Sequence, residues 1–226
     1  MAAFRAIFFA ALVAGMVAGV ATSLVQAAKL WPLIAMAETV EAASPRDQDH
    51  VHADEPHWSP SGPLRPALTV AFNIVAGLGF GLVLNAYIRA RTIRTGRPFT
   101  TMDGIAWGGA GFVAFSLAPA FGLPPELPGM GGEALLERQL WWVGTAACTA
   151  AAIALFAYAS WRWRAAALAL IVLPHLIGAP HAGGSGQVPA DMAAAFVAAS
   201  LAASAIFWVV LGWASGWAQQ RFTQTG

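Results

Sequence analysis

The sequence predicts an all-α integral membrane protein, a bundle of about six transmembrane helices with its N-terminus and its C-terminus in the cytoplasm. Composition is the first reason: 58% of the residues are hydrophobic and only 10% are charged, whereas soluble domains carry charge on roughly a quarter of their residues. The second is the alternation of long apolar stretches with short segments rich in Pro, Gly or charge. The third is a separation of basic from acidic residues between alternate loops. A chain with so few charged groups cannot cover a water-facing surface, so we expect lipid to be its solvent.

The lengths of the apolar stretches place the helices along the chain. A hydrocarbon core of about 30 Å needs roughly 20 helical residues. Backbone groups in lipid must pair within their own segment, so each span is expected to be helical. The fifth stretch is shorter than the core requires, and the other five are long enough. The predicted spans, within one polytopic membrane domain of residues 1–226, are 4–28, 66–88, 104–122, 139–160, 165–179 and 191–217.

The first predicted helix has an alternative interpretation as a cleaved signal peptide, because Val25-Gln26-Ala27 resembles a small-residue cleavage site. Two features favour a retained helix instead. The apolar stretch from Phe4 to Val25 is longer than the usual apolar region of a signal peptide. Gly15 and Gly19 also have the spacing of a helix-packing face.

Orientation follows from the cluster of Arg89, Arg91, Arg94 and Arg97, which the positive-inside rule places in the cytoplasm. Alternation then fixes every other loop. The resulting map puts 8 basic residues and 1 acidic residue inside, against 4 basic and 10 acidic residues outside, so the remaining charges agree with it. The net charge of +1 gives no indication of a nucleic-acid partner.

Histidines and carboxylates cluster on the predicted outer side, mainly in the loop 38–65. An extended His-x-His presents both imidazoles on one face, and nearby carboxylates add oxygen ligands and a negative field that concentrates cations. Nitrogen and carboxylate ligands without thiolate suit Co²⁺, Ni²⁺ or Zn²⁺. The alternative is a solvated acidic loop whose histidines bind nothing. The candidate metal ligands are His50, His52, His57, His175, His181, Asp49 and Asp54.

His175 differs from the others because it follows Pro174 within an apolar helix. Ionisable residues at membrane depth generally face the interior of a bundle and indicate function. The alternative is an interfacial histidine that reaches the headgroups. Pro119 and Pro174 lie near the outer ends of two predicted helices, a feature typical of transporter binding sites, although a proline also simply ends a helix.

Other polar and small residues in the spans favour structural interpretations. Asn73 and Asn85 are expected to join helices by hydrogen bonds, and the glycine runs to form close-packing faces. Cys148 is the only cysteine, so it can make no internal disulfide and is expected to pack as a small apolar residue. The sequence has no phosphate-loop, His-Glu-x-x-His or Gly-x-Ser-x-Gly motif, and we expect no enzymatic activity and no permanently bound cofactor.

Several separate motifs in the chain are similar to those of a single protein family. They are the opening Met1-Ala-Ala-Phe-Arg5 helix, the His-x-His loop, Asn73-Ile-Val-Ala-Gly77-Leu-Gly79-Phe-Gly81, Leu117-Ala-Pro119-Ala-Phe-Gly122-Leu-Pro-Pro125-Glu126-Leu-Pro128-Gly129, Arg138-Gln-Leu-Trp141-Trp142 and Leu173-Pro174-His175-Leu-Ile-Gly178-Ala-Pro180. Together they resemble the CbtA family of bacterial cobalt transporter subunits over essentially the whole chain. The resemblance implies cobalt uptake associated with cobalamin metabolism, and a very small one-span, histidine-bearing partner subunit called CbtB.

The residues and the resemblance together predict a multi-pass permease subunit of the bacterial inner membrane. It is expected to collect a divalent cation, Co²⁺ in the first place and Ni²⁺ in the second, at the loop 38–65, and to pass it through a bundle gated near Pro119, Pro174 and His175. The expected partners are the lipid bilayer and either the one-span subunit or further copies of the chain, since six short helices make a thin bundle. One alternative is a non-transporting scaffold or accessory subunit of a metal-uptake assembly. The other is a membrane enzyme with His175, Glu126 or Asp191 as acid or base. The sequence contains no nucleophile and base at a recognisable spacing to support this alternative.

Overall fold

The computed structural model describes residues 2–42, 62, 64–128, 130, 135–180 and 188–223. Within these ranges the chain forms six helical rods and no strand. The third rod is continuous, because a π-helical turn, Val113–Leu117, joins α3 to α4. The helices are α1 (Ala2–Ala42), α2 (Leu64–Thr95), α3 (Thr101–Phe112), α4 (Ala118–Ala120), α5 (Leu135–Tyr158), α6 (Arg164–Ile177) and α7 (Ala190–Thr223).

Four helices are long and apolar enough to cross a membrane, namely Phe4–Val40, Leu64–Thr95, Leu135–Tyr158 and Ala190–Arg221. The third rod, which contains the π turn, is not among these four. At a rise of about 1.5 Å per residue, the 14 residues of α6 are too short for a core of about 30 Å. The all-helical class and the number of helices are therefore confirmed, with four candidate spans. The six-span topology, the single-domain division and the cytoplasmic position of both ends stay predictions.

Several helices extend beyond the predicted spans. α1 continues through Pro32 to Ala42, and α2 continues through the arginine cluster to Thr95. Arginine is a good helix former, and its long side chain can place the charged group in water while the backbone stays helical. α3 begins at Thr101 because a capping box forms: the Asp103 N–H donates to the Thr100 hydroxyl at 3.1 Å, and the Thr100 N–H donates to the Asp103 carboxylate at 2.9 Å.

Glycines bring two helix pairs into backbone contact. A side chain at Gly15 of α1 would collide with the backbone of Gly77 and Leu78 of α2. Gly104 of α3 meets the backbone of Gly212 of α7 in the same way. The predicted close-packing faces are therefore present, since small residues let helices approach in lipid.

Asparagines join the same helices by hydrogen bonds, as predicted. Asn85 is fully buried in α2, where its Nδ2 donates to the Ser215 hydroxyl of α7 at 3.0 Å, and its Oδ1 accepts from the Gln219 Nε2 at 3.1 Å. Asn73, one-third of the way along α2, donates to the Ser23 hydroxyl of α1 at 2.9 Å. Buried amides need such partners, so these contacts fix the rotation of α2 against both neighbours.

The rods alternate in direction, which divides the bundle into two ends. At the arginine end, defined by Arg89, Arg91 and Arg94, α2 and α5 finish together and the Tyr87 and Tyr158 hydroxyls are hydrogen-bonded. At the proline end, defined by Pro119, Pro125 and Pro174, the third rod and α6 finish and α5 begins. The long helices α1, α2 and α7 span the distance between these ends.

Candidate functional site

A cavity of about 380 Å³ lies near the middle of α1 and α7, with α2, the π turn and α5 around it. Its lining surface is mainly apolar but contains a cluster of polar groups, and we call it the polar cavity. One side of it is aromatic, with Phe80, Phe115, Trp142, Phe207 and Trp208. The other side carries hydroxyl and amide groups. These polar residues are Thr22, Gln26, Asn73, Ser116, Ser200 and Ser204.

Spacing along the helices explains how the polar groups converge. Thr22 and Gln26 are four residues apart on α1, and Ser200 and Ser204 are four apart on α7. Residues at this spacing lie on the same face of a helix, one turn above the other. Each long helix therefore presents two polar groups to one cavity within an otherwise apolar sequence.

Some of these groups are paired within the protein, and others are not. Ser116 and Ser204 share a hydrogen bond of 2.6 Å that joins the π turn to α7. The hydroxyls of Thr22 and Ser200 are buried with no hydrogen-bond partner among the described residues. Thr22 is 5% exposed, and a buried hydroxyl left unpaired costs about 1–3 kcal/mol. The wall of the cavity therefore contains two hydroxyls that the described part of the protein does not pair.

A second cavity of about 280 Å³ lies between the first and the proline end. The two share five lining residues from the π turn, α5 and α7. At the proline end the second cavity is lined by Pro119, Leu123 and Pro125. The two adjoining cavities therefore extend from the middle of the bundle to the predicted gate at Pro119.

The π turn accounts for the shape of this wall. Pro119 has no N–H to donate to the carbonyl of Phe115, four residues earlier, and its ring crowds that carbonyl. The helix relieves the conflict by widening over Val113–Leu117, where the Ala118 N–H donates to the Val113 carbonyl. π turns inside α-helices are frequent at functional sites. Both predicted prolines lie within a turn of a helix end, since α4 ends at Ala120 and α6 at Ile177.

An open pocket of about 780 Å³ lies between the ends of α1 and α2. Glu38 and Arg65 stand at its edge as an ion pair of 2.6 Å. Gln26 and Leu30 line this pocket and the 380 Å³ polar cavity alike. The pocket therefore adjoins the polar interior across two side chains of α1.

A second ion pair strengthens the proline end. Glu126, in the segment between α4 and α5, accepts from the Arg138 Nη2 at 2.6 Å, and the two side chains are only 23% and 18% exposed. A partly buried arginine–carboxylate pair is stronger than an exposed one, so it fixes the segment between α4 and α5 against α5. Glu126 is thus committed to Arg138, and this pairing gives it a structural role.

His175 is the only predicted metal ligand within the described part of the chain. It lies half-buried in the last turn of α6, with its ring centre 5.7 Å from that of Trp141 and 6.4 Å from that of Phe121. Trp141 also donates from its Nε1 to the Pro174 carbonyl at 3.1 Å. The other candidate ligands, which lie outside the described residues, are His50, His52, His57, His181, Asp49 and Asp54. Among the described residues no three His, Cys, Asp or Glu side chains come close enough to hold a metal ion.

Most of the polar cavity was not predicted from the sequence. Asn73 was predicted to join helices, but Thr22, Ser200 and Ser204 were not identified. The available signal was the pair of small polar residues four apart in each of two apolar helices.

Comparison with known protein families gives a match over nearly the whole chain. The protein-family model described as "Probable cobalt transporter subunit (CbtA)" matches residues 4–220, nearly the whole chain. No curated protein and no solved structure matches the chain.

Proposed function

Because the chain belongs to the CbtA family of probable cobalt transporter subunits, we propose that it is a permease subunit that takes up Co²⁺ across the bacterial cytoplasmic membrane. The family is one of transporter subunits and not of enzymes, so the membrane-enzyme alternative is set aside. The chain itself is a multi-pass membrane protein. In the proposed orientation the proline end faces outward and the arginine end faces the cytoplasm, as the positive-inside rule favours.

One observation carries the proposal: Gln26 and Leu30 line both the open pocket at the ends of α1 and α2 and the polar cavity inside the bundle. A scaffold has no need for adjoining cavities that contain polar groups at the depth where lipid surrounds it, because unpaired hydroxyls there are costly. A permease needs such space for an ion and its water. The pocket and the cavity together supply it over the outer half of the bundle.

Capture is proposed for the segment that leads from α1 to α2, which carries His50, His52, His57, Asp49 and Asp54. The helices on either side of it are joined by the Glu38–Arg65 pair, which lines the open pocket. An ion held by imidazole and carboxylate ligands of this segment would therefore be released next to the pocket. The acidic surplus of the segment raises the local concentration of cations.

Inside the cavity we propose that Co²⁺ keeps its own water. The described lining offers hydroxyls, amides and aromatic rings, and no carboxylate, imidazole or thiolate. Neutral groups of this kind hydrogen-bond to water well, but they replace the hydration shell of a divalent ion poorly. A volume of about 380 Å³ has room for an ion with its first shell of water. Aromatic faces beside the ion add a cation–π attraction.

His175 is proposed as a second metal ligand at the outer mouth. It stands in the last turn of α6 against Trp141, whose neighbour Trp142 lines both cavities. His181 follows after the end of the same helix. The pair would receive the ion between the capture segment and the gate at Pro119.

Partners are proposed from the word "subunit" in the family description and from the resemblance to CbtA. The proposed partner is a one-span, histidine-bearing chain of the CbtB kind. A bundle with four long helices is thin for a complete permease, and a second copy of this chain is the alternative.

The test is uptake of radiolabelled Co²⁺ and Ni²⁺ into cells that express the chain, alone and together with a candidate one-span subunit. A variant with His50, His52 and His57 all changed to Ala is measured beside it at equal membrane abundance. Saturable Co²⁺ uptake that falls in the variant supports both transport and capture. Uptake equal to that of empty cells under every condition would instead support the scaffold alternative.

A further inference from the structure

A separate cavity of about 180 Å³ lies at the arginine end, where α2 and α5 finish. It is lined by Tyr87, Ala90, Arg91, Arg94 and Thr95 of α2 and by Tyr158 of α5. We propose that this cavity binds a phosphate group, carried by an anionic phospholipid headgroup or present as free phosphate. The site is independent of the proposed transport path, which lies in the other half of the bundle.

Two guanidinium groups face the cavity from one side of α2. Arg91 and Arg94 are three residues apart and therefore lie on one face of the helix. The Arg94 guanidinium carbon is 5.6 Å from the ring centre of Tyr158, and that of Arg91 is 5.3 Å from the ring centre of Phe99. Stacking on a ring orders a guanidinium group while its N–H donors remain available at the edge. Planar donors held in this way match the oxygens of a phosphate.

The positive charge here is poorly neutralised by the protein. Asp103 is the nearest carboxylate within the described residues, and its Oδ1 lies 4.0 Å from the Arg91 Nη2. The other oxygen of Asp103 is occupied, because it accepts from the Thr100 N–H and from the Thr100 hydroxyl, each at 2.9 Å. Hydrogen bonding from the Thr100 N–H lowers the pKa of Asp103, with a smaller contribution from the charge of Arg91. Asp103 thus acts mainly as a helix cap and only weakly as a counter-ion.

One buried nitrogen atom of the cavity lining points to a missing acceptor. The Arg91 Nη1 is shielded from solvent and has no hydrogen-bond partner among the described residues. A charged donor that is buried and unpaired is costly, and an anion that accepts from it recovers that cost. Arg91 therefore offers both a charge and an unused donor to the cavity that it lines.

The aromatic residues around the cavity place it at the level of the headgroups. Tyr87 packs on Trp107 at a ring-centre distance of 4.5 Å, and Trp107 stacks with Tyr158 at 6.0 Å. Tyrosine and tryptophan are enriched at the membrane interface. Basic pockets between helices at this level are typical binding sites of anionic lipid headgroups.

Native mass spectrometry of the purified full chain tests the proposal. The protein is exchanged into detergent containing equal amounts of phosphatidylglycerol and phosphatidylcholine of the same chain length, and the retained lipid is counted. The expected result is preferential retention of phosphatidylglycerol, reduced at least tenfold in an Arg91→Gln/Arg94→Gln double variant. Arg97→Gln is the matched control, because Arg97 is an exposed residue at the same end that does not line the cavity.

A second arm separates the two sources of phosphate. Equilibrium dialysis of delipidated protein against radiolabelled orthophosphate measures binding of the free ion, and an Arg91→Lys/Arg94→Lys variant keeps the charge if the Gln variant fails to fold. Binding of either phosphate source that depends on Arg91 and Arg94 but not on Arg97 supports the site, and the stronger source identifies the ligand. Equal retention of both lipids without phosphate binding, or equal losses in the Arg97→Gln control, would overturn it.

Discussion

Gln26 and Asn73 meet inside the bundle, where the Asn73 Nδ2 donates to the Gln26 Oε1 at 2.7 Å. Asn73 is only 8% exposed, so this bond orients the Gln26 amide from a fixed position on α2. Gln26 is also the polar side chain shared by the open pocket and the polar cavity. The contact therefore fixes a polar group at the point where the proposed path leaves the outer pocket.

The neutral lining of the polar cavity predicts that a stable mimic of a hydrated cation competes with Co²⁺. Cobalt(III) hexaammine has six ammonia ligands that do not exchange on the time scale of uptake, and its size is close to that of a hydrated ion. We expect it to inhibit Co²⁺ uptake, because hydroxyls and amides can hydrogen-bond to its outer surface. Radiolabelled Co²⁺ uptake at increasing hexaammine concentration measures this.

Tetramethylammonium at equal charge concentration is the control, since it has no N–H groups to donate. Normal Co²⁺ uptake with no effect of hexaammine would show that the ion crosses without its water. That result would contradict passage of hydrated Co²⁺ through the polar cavity, but it would not contradict transport of Co²⁺ by the chain.

Capture by histidines predicts loss of uptake in acid. A histidine side chain has an ordinary pKa of about 6.5, and only its neutral form binds a metal. Uptake at subsaturating Co²⁺ is expected to fall as the pH is lowered from 7.5 to 5, because protons compete with the metal for His50, His52 and His57. The variant with all three changed to Ala should show a weaker pH dependence in the uptake that remains, because only His175 and His181 are left as imidazole ligands. An equally steep acid loss in that variant would assign the titration to other groups.

Glycine packing predicts a large difference between two similar substitutions. Gly15→Leu forces α1 away from the backbone of α2 and is expected to lower the thermal midpoint of the purified protein or prevent its recovery, since overpacking costs about 1–3 kcal/mol or more. Gly79→Leu is the matched control, because a Cβ atom added at the exposed Gly79 meets no atom within 4 Å. Similar midpoints for the two variants would contradict the close approach of α1 and α2.

The sequence predicted the helices well because lipid leaves the chain few choices. The lengths of the apolar stretches located all six rods. Asn85 was predicted to join helices because a polar group in lipid needs a partner, and Gly77 to pack closely because small residues let helices approach. Helix ends were less predictable. α2 continues to Thr95 because arginine supports a helix outside the lipid, whereas composition marked that stretch as a loop.

The candidate site was harder to predict, since it depends on which helices are neighbours. Thr22 and Ser200 belong to α1 and α7, at opposite ends of the sequence, and nothing in either helix alone shows that they share a cavity. The Glu126–Arg138 pair was missed for a similar reason, because a loop conformation decides it. The proposed capture residues, such as His50 and His52, remain predictions from their pattern in the sequence.

The most direct test of the proposed path is Co²⁺ uptake by a Gln26→Leu variant beside Gln139→Leu, which makes the same change at an exposed position in the first turns of α5. Both are compared with the unaltered chain at equal membrane abundance and thermal midpoint. We expect Gln26→Leu to reduce uptake at least tenfold, because it removes the polar side chain shared by the outer pocket and the polar cavity, while Gln139→Leu leaves uptake unchanged. Undiminished uptake by Gln26→Leu would contradict the account.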